Sequence, residues 1–598
     1  MKIKYLDGHR LARAIIAGSK RIFEKTNHLN EINFFPVPDS DTGSNISSTF
    51  HAIVSALQSK NSHSVKKTCH TIANAALLGA HGNSGIIFAQ FFYGIYNEMD
   101  NRWKVPTQEF GKATNKSVKY VYEALSDPQE GTILSVIRDW SDAIHDYSYN
   151  TDDFVELWEH GIQVAKDSLE NTRNKIENKT HNVVDAGAQG FVYFLEGIHK
   201  FISQGAIAEV QSHAENLPEI NNEFDEHSVE SLKEIKYRYC TEFLVKGSEL
   251  HNGKIKNTLQ KYGSSIVLAG SDELARYHVH TNQPHNILNE LKEFGGKITE
   301  QKVDDIKQEY IDNQKEHTNI AIVTDSASNL PQKIIDRFNI HVIPFNINFG
   351  EETYLDGLTI SQSQFYNKMN SEKKLVSTSQ PSPSFYKETY TSLLNNYDKI
   401  ISIHISDLIS GAYQAARSLA KQYEDKIEVI DTKTLTVTQG MLVIKAAQMA
   451  EEGANFPRIV QKIKSQRKAT KLFVSISDFN HLMKSGRVKK AKGFLGKLLN
   501  VNPILTIDSK GEIIKIDQAY TKNSATEKVI QKVKDFLSDK NNPKFFIVHA
   551  QDKETAQKYA NFVQEYFNVN NVEIVPAAPV LAAHAGIGTA GIGIMWEE

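Results

Sequence analysis

The apolar pattern of this 598-residue chain changes character twice along its length. Apolar runs within 1–205, such as ANAALLGA and GIIFAQFFYGIY, have helical length and lack strand alternation. From about residue 318, short apolar segments such as NIAIVTD, KIISIHIS and KIEVIDT interleave with helical runs. The pattern therefore predicts an all-α domain at 1–205 and an α/β domain at 318–598.

The part between these domains divides into a linker and a small third domain. Residues 206–232 are polar and acidic, as in AENLPEINNEFDEHSVE, which is typical of a linker. Within 233–317, YCTEFLVKG, SIVLAG and LARYHVHT look like short strands, and a Lys- and Glu-rich tract at 301–317 closes the segment. We expect a small α+β middle domain here, and the hairpin-like PILTIDSKGEIIKIDQ predicts a second lobe in the last domain.

Composition and the N-terminal residues indicate which cellular compartment and which classes of partner to expect. With 40% hydrophobic and 23% charged residues, the chain has the make-up of a globular protein. No apolar run reaches membrane-spanning length, and MKIKYLDGHRL lacks the apolar core of a secretory signal, so we expect a cytoplasmic protein. Cys69 and Cys240 alone cannot form a disulfide framework. A net charge of −3 argues against a nucleic-acid partner.

Residues 33–45, NFFPVPDSDTGSN, have the make-up of a phosphate and metal loop. Asp39 and Asp41 can face one divalent cation, because Pro36 and Pro38 hold the approach extended. A following helix would offer its first N–H groups to an anion. The alternative is a polar turn whose aspartates cap that helix.

Three further segments contain glycines with polar neighbours. HGNSG at 81–85 and VVDAGAQGF at 183–191 have closely spaced glycines, and DPQEGTIL at 127–134 has an acid followed by Gly-Thr. Each offers backbone that can approach a polyphosphate or a purine, although glycines also serve as helix caps and helix contacts. Together with the paired aspartates, and in this order, the motifs resemble the nucleotide-binding domain of the dihydroxyacetone kinase L-subunit type, as found in bacterial fatty-acid kinases.

The resemblance covers about residues 1–205 and implies a helical barrel that binds ATP. It implies that Asp39 and Asp41 hold Mg²⁺, with Asn33 completing the metal shell. Asn33 stands where dihydroxyacetone kinases have a third Asp, and His81 stands where related kinases usually have Arg. The residues expected to bind ATP are Thr42, Gly43, Ser44, Asn45, Gly82, Asn83, Ser84, Gly85, Asp185 and Gly187.

The middle domain contains a candidate zinc site. Cys240 lies in YRYCTEF, and His278 and His280 flank Val279, so that on a strand both imidazoles project from one face. A thiolate with two imidazoles suits zinc, although a structural strand is the alternative. The segment resembles the middle domain of fatty-acid kinases, where such residues are associated with zinc. Glu242 or water is the candidate fourth ligand.

The last domain resembles the DegV family of bacterial fatty-acid-binding proteins, with a two-lobed α/β fold. The motifs that carry the resemblance are IVTDSASNLP, TSQPSP, LISGAYQAA, KSGRVKKA, LLNVNPILTI and HAGIGTAGIG. A carboxylate in an apolar cavity must keep hydrogen bonds. Thr378 and Ser410, expected at strand-to-helix loops, can supply hydroxyls, although Ser410 could be an ordinary helix cap and Arg487 a solvated charge.

The DegV resemblance also assigns roles within this site. It implies that Thr378 and Ser410 hold the acyl head group and that His584 and Arg487 lie at or near its exposed end. We further expect Asp325, Ser326, Ser379 and Gly411 in the fatty-acid site. The usual Gly-Pro after the His is here Gly586-Ile587, which predicts a less rigid loop.

A nucleotide domain and a lipid carrier on one chain predict a fatty-acid kinase that makes acyl phosphate from ATP. We expect Asp39, Asp41 and Arg487 to be catalytic, and the tether to raise the effective concentration of the carrier. The expected partners are a fatty acid, a second copy in a homodimer and, transiently, a membrane-associated acyltransferase of phospholipid synthesis. The alternatives are a non-catalytic lipid-binding protein with a regulatory nucleotide domain, and a dihydroxyacetone-type kinase.

Overall fold

The structure, a computed structural model, describes the chain with several gaps. The described residues are 2–33, 41–59, 62–173, 183–204, 235–313, 320–371, 376–477, 482–483, 485–487, 501–570 and 572–597. The predicted linker at 206–232 and the predicted ligand Asp39 lie outside them. The chain forms two compact units, Met1–Tyr310 and Ile311–Glu598.

The first unit begins with a set of α-helices. As expected, Asp7 caps the first helix, because its carboxylate accepts a hydrogen bond from the Arg10 N–H at 2.9 Å. The helices described are α1 Gly8–Glu24, α2 Thr26–Glu31, α3 Thr42–Ser59, α4 Val65–Gly79, α5 Gly82–Glu98, α6 Thr107–Ala124, α7 Ile133–Tyr147, α8 Phe154–Thr172 and α9 Ala186–Gln204.

Aromatic side chains fill the centre of this helical part. Phe50, Phe88, Phe92 and Phe194 come from α3, α5 and α9 and are buried, with ring centroids 5.0–6.3 Å apart. Such edge-to-face and tilted contacts add to the burial of apolar area. The core therefore fixes α3, α5 and α9, the helices that follow three of the four predicted nucleotide motifs.

A four-stranded antiparallel sheet completes the first unit, in the order β2-β3-β1-β4. Its buried Leu244, Val267 and Ala269 belong to the same core as the helices. The edge strand β4 was missed by the sequence pattern, because Val303 alone of its residues is buried. The elements are β1 Tyr239–Lys246, α10 Asn252–Leu259, β2 Gly263–Gly270, β3 Leu274–Thr281, α11 Pro284–Glu293, β4 Lys297–Asp305 and α12 Ile306–Asn313.

Arg276 of β3 ties the sheet to the end of α4. Its guanidinium is buried and donates to the carbonyl oxygens of Leu77 and Leu78 at 3.1 and 2.8 Å. These are among the last carbonyls of α4, which have no partner inside the helix. The same guanidinium pairs with Glu300 at 2.8 Å. Arg276 is therefore a C-terminal cap for α4 supplied by the sheet.

The first lobe of the second unit contains two sheets. A parallel sheet has the order β11-β10-β5-β6, and an antiparallel sheet has the order β8-β7-β9. The strands are β5 Ile320–Asp325, β6 His341–Ile343, β7 Asn346–Phe349, β8 Glu352–Leu355, β9 Val376–Ser379, β10 Lys399–His404 and β11 Ile427–Asp431. The helices are α13 Gln332–Phe338, α14 Gln362–Ser371, α15 Pro383–Asn396, α16 Ala412–Ala420, α17 Thr436–Glu451 and α18 Phe456–Gln466.

A six-stranded mixed sheet forms the second lobe, in the order β14-β13-β12-β17-β15-β16. The predicted hairpin is its β13–β14 pair, and Gly511 in the turn has φ 98°, a left-handed value that glycine adopts readily. The strands are β12 Thr470–Ser475, β13 Asn502–Ile507, β14 Ile513–Ala519, β15 Asn541–His549, β16 Glu573–Pro576 and β17 Ala590–Glu597. The helices are α19 Lys522–Leu537, α20 Lys553–Phe567 and α21 Pro579–Ala585.

The expected fold class is confirmed: helical first part, small α+β sheet domain and two-lobed α/β unit. The segment HVIPFNINF has the apolar make-up of a single strand, but it forms two strands that belong to different sheets. Its β6 pairs with β5, whereas β7 pairs with β8 and β9. The Pro344 imide lacks the N–H that a continuing ladder requires, which breaks the segment between them.

Candidate functional site

The predicted nucleotide motifs lie against one another in the first unit. A Cβ added at Gly82 would collide with the side-chain amide of Asn45, so the HGNSG turn packs directly on the DTGSN helix start. A Cβ at Gly187 would press on the Ser84 hydroxyl. A Cβ at Gly85 would meet Thr49. Ile133, in the fourth motif, also adjoins Gly187 and donates its N–H to Asp185, so the structure brings all four predicted motifs into contact.

The start of α3 is held by α2. Asn30 and Ser44 exchange two hydrogen bonds of 3.1 Å, one to the Ser44 N–H and one to its hydroxyl. A Cβ at Gly43 would collide with the Thr26 carbonyl, which explains the glycine. The Asp41 carbonyl accepts from the Asn45 N–H at 2.9 Å. Thr42 is the first residue of α3, and Asp41 precedes it.

Asn33, predicted to bind metal, and Asp185, predicted to bind ATP, are both buried. The Asn33 side chain lies beyond the end of α2. Asp185 is also buried, and its carboxylate accepts from the N–H groups of Ile133 and Ala188 at 3.0 and 2.7 Å. Burial raises the pKa of Asp185 to about 6, against these two backbone hydrogen bonds. Asp185 therefore ties the start of α7 to the start of α9.

Glu242 of β1 reaches the HGNSG turn. Its Oε1 accepts from the Gly82 N–H at 2.6 Å, and its Oε2 lies 2.9 Å from His81 Nδ1. Burial acts to raise the pKa of Glu242, but hydrogen bonds from His278 and His81 outweigh it and hold that pKa well below its usual range. The first N–H of α5 therefore faces an ionised carboxylate. The buried Oδ1 of Asn83, one residue further on, has no hydrogen-bond partner within the part of the chain that the structure describes.

The three predicted zinc ligands come together on β1 and β3. Ligand atoms of Cys240, His278 and His280 all lie within 4.8 Å of one another. Among the described residues, the buried His278 Nε2 has no hydrogen-bond partner. Burial and the neighbouring His278 lower the pKa of His280 to about 3, which keeps the His280 imidazole neutral. A neutral imidazole, a thiol and an orphaned buried imidazole nitrogen fit a zinc ion.

The metal trio, Cys240 with His278 and His280, lies within electrostatic range of Asp41 and is joined to HGNSG through Glu242. Burial raises the pKa of the Cys240 thiol well above its ordinary value, and the charges of Glu242, Asp304 and Asp41 add to that effect. Without a cation the thiol is therefore protonated. A bound Zn²⁺ would stabilise the thiolate and offset these carboxylates.

An apolar cavity lies between the lobes of the second unit. It has about 950 Å³ of empty space, part of it open to solvent. Among its lining residues are four that the sequence assigned to the fatty-acid site: Thr378, Ser410, Arg487 and His584. The wall is otherwise largely aliphatic, as an acyl chain requires. Representative aliphatic residues are Ile405, Leu435, Leu472, Val474, Leu505 and Val580.

The predicted head-group residues occupy specific positions on this wall. Thr378 Oγ1 lies 2.7 Å from His584 Nε2. Thr378 is on strand β9 rather than in the expected loop, because β9 continues through Ser379 in its pairing with β7. The Ser410 hydroxyl accepts from the Ala412 N–H at 3.3 Å and so caps α16, which is the alternative role that the sequence left open. Arg487 Nη1 donates to the Ser485 carbonyl at 2.8 Å.

The other predicted fatty-acid residues are not on the wall. Asp325 is fully buried behind it, where Oδ2 lies 2.9 Å from His404 Nδ1 and accepts from the Ile405 N–H at 3.0 Å. Ser326 accepts from the Phe345 N–H at 3.1 Å. Asp325 and Ser326 therefore hold the backbone of two lining residues. The cavity wall also leaves out the exposed Ser379 and Gly411.

Sequence reasoning missed several polar residues at this cavity. The hydroxyls of Thr436 and Thr506 line it and have no hydrogen-bond partner among the described residues. Asp356 is buried below α21, and burial raises its pKa to about 7, against the opposing effect of Ser326 and the Val580 backbone. The Asp-Gly pair at 356–357 marked only a turn, and the threonines stood in apolar runs, so no sequence signal distinguished them.

Comparisons with known sequences identify three modules. The sequence model of the DAK2 domain matches residues 36–200, that of the fatty acid kinase-like middle domain matches residues 236–313, and that of the DegV family, described as uncharacterised, matches residues 319–597. A DegV domain-containing protein of Staphylococcus aureus (strain N315) is 32% identical over 274 residues, covering 46% of this chain and 98% of the relative. The chain belongs to the DegV family.

Other matches are more distant or partial. An uncharacterized protein of Staphylococcus epidermidis is 29% identical over 313 residues, covering 52% of this chain and 56% of the relative, so the chain spans about half of that relative's length. A fatty-acid-binding DegV family protein of Thermus thermophilus is 27% identical, with 47% of this chain and all of that structure covered and a TM-score of 0.44. Among the described residues, no helix has the length and apolar character to cross a membrane.

Proposed function

We propose that this chain is a fatty-acid kinase that carries its own lipid-binding domain. The observation that carries the proposal is the apolar cavity of the second unit, whose wall includes Thr378, Ser410, Arg487 and His584, on the same chain as a DAK2 domain. The substrate class is a long-chain fatty acid. The fatty acid kinase-like middle domain supports the same function.

The reaction is phosphoryl transfer to a carboxylate. One carboxylate oxygen forms a bond to the γ-phosphorus of ATP, the bond from that phosphorus to the β,γ-bridging oxygen breaks, and ADP leaves with the electron pair. No proton is transferred, because the acceptor is already ionised. Such a reaction depends on positioning and on neutralising charge more than on a protein nucleophile. Bound Mg²⁺ would supply charge neutralisation at the phosphates.

The chain's own residues would then act as follows. Thr378 and Ser410 would hold the fatty carboxylate by hydroxyl hydrogen bonds, which leave it nucleophilic because they add no full positive charge. Arg487 would stabilise negative charge at the exposed end of the acyl chain. On the nucleotide side, Asp41 with Asp39 would hold the metal, while the α3 and α5 starts would bind phosphate oxygens.

We further propose that Cys240, His278 and His280 hold one zinc ion, and that the reaction takes place in the cytoplasm, where ATP is available. Support for zinc comes from the convergence of the three ligands and the orphaned His278 Nε2. Tetrahedral zinc needs a fourth ligand, for which water or Glu242 is available, since Glu242 Oε1 lies 3.4 Å from His278 Nδ1.

One observation favours a second function, that of a lipid carrier with a regulatory nucleotide domain. The Gly82 N–H, which the motif would offer to a phosphate, already bonds to the Glu242 carboxylate. A carboxylate at this position repels a polyphosphate. In this alternative, nucleotide would bind without being consumed.

Turnover of ATP by the purified full-length chain separates the two functions. ADP and acyl phosphate are measured with Mg²⁺ in the presence and absence of oleate or palmitate, with hydroxylamine used to trap acyl phosphate. The kinase produces ADP and hydroxamate in equal amounts, and only with fatty acid. Nucleotide binding without hydroxamate supports the regulatory carrier, and turnover with dihydroxyacetone instead of fatty acid contradicts both.

A further inference from the structure

Glu242 contacts two parts of the first unit: the His81–Gly82 turn, which the sequence assigned to nucleotide, and His278, which it assigned to zinc. Its Oε1 accepts from the Gly82 N–H at 2.6 Å and lies 3.4 Å from His278 Nδ1. Its Oε2 lies 2.9 Å from His81 Nδ1 and 3.7 Å from an Arg276 guanidinium nitrogen. Glu242 is only 2% exposed, so water competes little for these contacts.

We propose that Glu242 is a positioning residue that couples metal binding by Cys240, His278 and His280 to nucleotide binding at the His81–Gly82 turn. Each ligand thereby raises the affinity of the other. The inference rests on the proposed function, because it requires that the metal trio and the HGNSG turn bind their respective ligands.

The first step of the coupling runs through the His278 ring. Its Nδ1 lies 3.6 Å from Cys240 Sγ and 3.4 Å from Glu242 Oε1, and among the described residues its buried Nε2 has no hydrogen-bond partner. A metal on Nε2 leaves the hydrogen on Nδ1, and that N–H donates to Glu242 Oε1. A metal on Nδ1, beside the Cys240 thiol, brings Oε1 within reach as the fourth ligand. In either arrangement, metal binding fixes the oxygen that holds Gly82.

The second step runs from Glu242 to the nucleotide motifs. Gly82 has φ 60° and packs on the Asn45 amide so closely that a Cβ would collide with it. The Glu242 hydrogen bond therefore fixes the start of α5 against the start of α3. The unpartnered Oδ1 of Asn83 lies one residue beyond this turn. A turn fixed in advance loses less conformational entropy when a nucleotide binds.

Charge acts in the same direction. The Glu242 carboxylate lies on the Gly82 N–H, at 2.6 Å, and 3.4 Å from the His278 ring. Its negative charge repels an approaching polyphosphate at this turn. A divalent cation at the trio offsets that charge. Preorganisation and charge therefore both predict that metal strengthens nucleotide binding.

The test measures nucleotide affinity, without any need for turnover. The full-length chain is prepared zinc-loaded and chelator-stripped, and each form is titrated with a fluorescent ADP analogue in Mg²⁺. We expect stripping to weaken binding by about 5- to 20-fold, within the usual range of coupling between two sites. Zinc affinity, measured by chelator competition with and without ADP, must change by the same factor, since linkage is reciprocal.

Two substitutions of Glu242 separate geometry from charge. Glu242→Asp keeps the charge but is one methylene shorter, so it cannot reach Gly82 N and His278 Nδ1 together. We call the nucleotide affinity of the zinc-loaded form divided by that of the chelator-stripped form the affinity ratio, and we expect it to fall to about 1 in this variant. Glu242→Gln removes the charge and should reduce the ratio without abolishing it, because its amide oxygen can still reach the Gly82 N–H and the His278 ring. Glu300→Gln is the control: Glu300, on strand β4, pairs with the same Arg276, and its substitution should leave the ratio unchanged.

The outcomes discriminate between the hypotheses. If Glu242→Asp keeps the affinity ratio of the wild type, Glu242 does not connect the metal trio to the His81–Gly82 turn. If zinc-loaded and stripped wild-type protein bind nucleotide equally well, the two sites are not coupled. Failure of the wild-type chain to bind the ADP analogue at all, or to retain zinc, contradicts the proposed function instead. Circular dichroism establishes that each variant is folded. If Glu242→Asp does not fold, the wild-type measurements still decide the coupling, and an unchanged ratio in Glu242→Gln with Glu300→Gln as reference overturns the role of Glu242.

Discussion

The hydroxyl of Thr378 lies 2.7 Å from Nε2 of His584, which joins strand β9 to helix α21 on the wall of the apolar cavity. The two side chains form a polar pair on a wall that is otherwise largely aliphatic. A fatty carboxylate that binds here would meet a hydroxyl whose orientation the imidazole already restrains.

Replacing Thr378 by Val should weaken fatty-acid binding. The substitution keeps the volume of the side chain but removes the hydrogen bond to the carboxylate, at a cost of about 1.5–3 kcal/mol. The dissociation constant of a fluorescent fatty acid should rise by about ten- to a hundredfold. Ser379→Ala is the matched control, since Ser379 is the neighbouring residue and does not line the cavity. Unchanged lipid affinity in Thr378→Val would remove Thr378 from the head-group site.

Replacing Arg487 by Ala should impair phosphoryl transfer and spare lipid binding. We expect single-turnover formation of acyl phosphate to slow by about tenfold or more, because a charge near the reacting carboxylate is lost. Fatty-acid affinity should stay within about twofold, since the aliphatic wall supplies most of the binding free energy. Arg458→Ala serves as the control, since Arg458 is an exposed residue of α18. Loss of lipid binding in Arg487→Ala would assign Arg487 to the head-group site instead.

Replacing Asp41 by Ala should abolish Mg²⁺-dependent phosphorylation while the protein stays folded. Asp41 is half-buried directly before α3 and outside the hydrophobic core, so we expect its carboxylate to contribute to a metal shell more than to the core. Phosphorylation is measured against Mg²⁺ concentration, with Asp100→Ala, an exposed aspartate in the loop after α5, as control. Wild-type turnover in Asp41→Ala would refute its assignment as a metal ligand. Asp39→Ala is expected to behave in the same way.

The purified chain should contain about one zinc per molecule, and Cys240→Ser should lose it. The two cysteines offer an internal comparison. Cys69 is buried in the helical core, where burial raises the pKa of its thiol to about 12, and it should be inert to metal. Elemental analysis of Cys240→Ser and Cys69→Ala, purified in parallel, measures the difference. Equal metal content in both variants would contradict the site, as would wild-type protein without metal.

Asp356 should make the second unit less stable at alkaline pH. Its pKa is about 7 in the folded chain against 3.8 for the unconstrained side chain, so the folded state holds the extra proton between these values. Its stabilising effect is complete below about pH 4 and is lost as pH rises through 7, by an amount on the order of 4 kcal/mol. Asp356→Asn should remove this dependence.

Calorimetry of the full-length chain between pH 5 and pH 8 tests this expectation. The transition that depends on pH in the wild type should not depend on it in Asp356→Asn. Asp535→Asn, an exposed residue of α19, should behave as the wild type. Parallel pH profiles for Asp356→Asn and the wild type would show that Asp356 is not the titrating group.

Local sequence patterns predict much of the fold and part of the candidate sites. The position of Asp7 before an amphipathic run predicts the start of α1, and the spacing of His278 and His280 predicts that both imidazoles lie on one face of β3. These features depend on residues within a few positions of one another. Gly43 and Gly82 mark closely packed backbone, but the residues against which they pack, Thr26 and Asn45, lie further away in the sequence and are not evident from the local pattern.

The rest depended on contacts between residues that are distant in sequence. The carboxylate of Glu242 reaches Gly82 across 160 positions, and no property of either segment indicates that they meet. Likewise, Asp325 follows a strand, where a binding aspartate is common, but His404 and Ile405 engage its carboxylate behind the cavity. Packing between distant segments decides whether a polar residue lines the cavity or lies behind its wall.

The guanidinium of Arg276 has a consequence for dissecting or recombining the chain. A fragment that ends in the linker at 206–232 keeps every nucleotide motif but loses Arg276, and the carbonyls of Leu77 and Leu78 at the end of α4 lose their donor. The apolar faces covered by Leu244, Val267 and Ala269 become exposed in the same fragment. The DAK2 and middle-domain sequence models match separate segments, but the helices and the sheet share one hydrophobic core, so we expect the helical fragment alone to be less stable than the whole first unit.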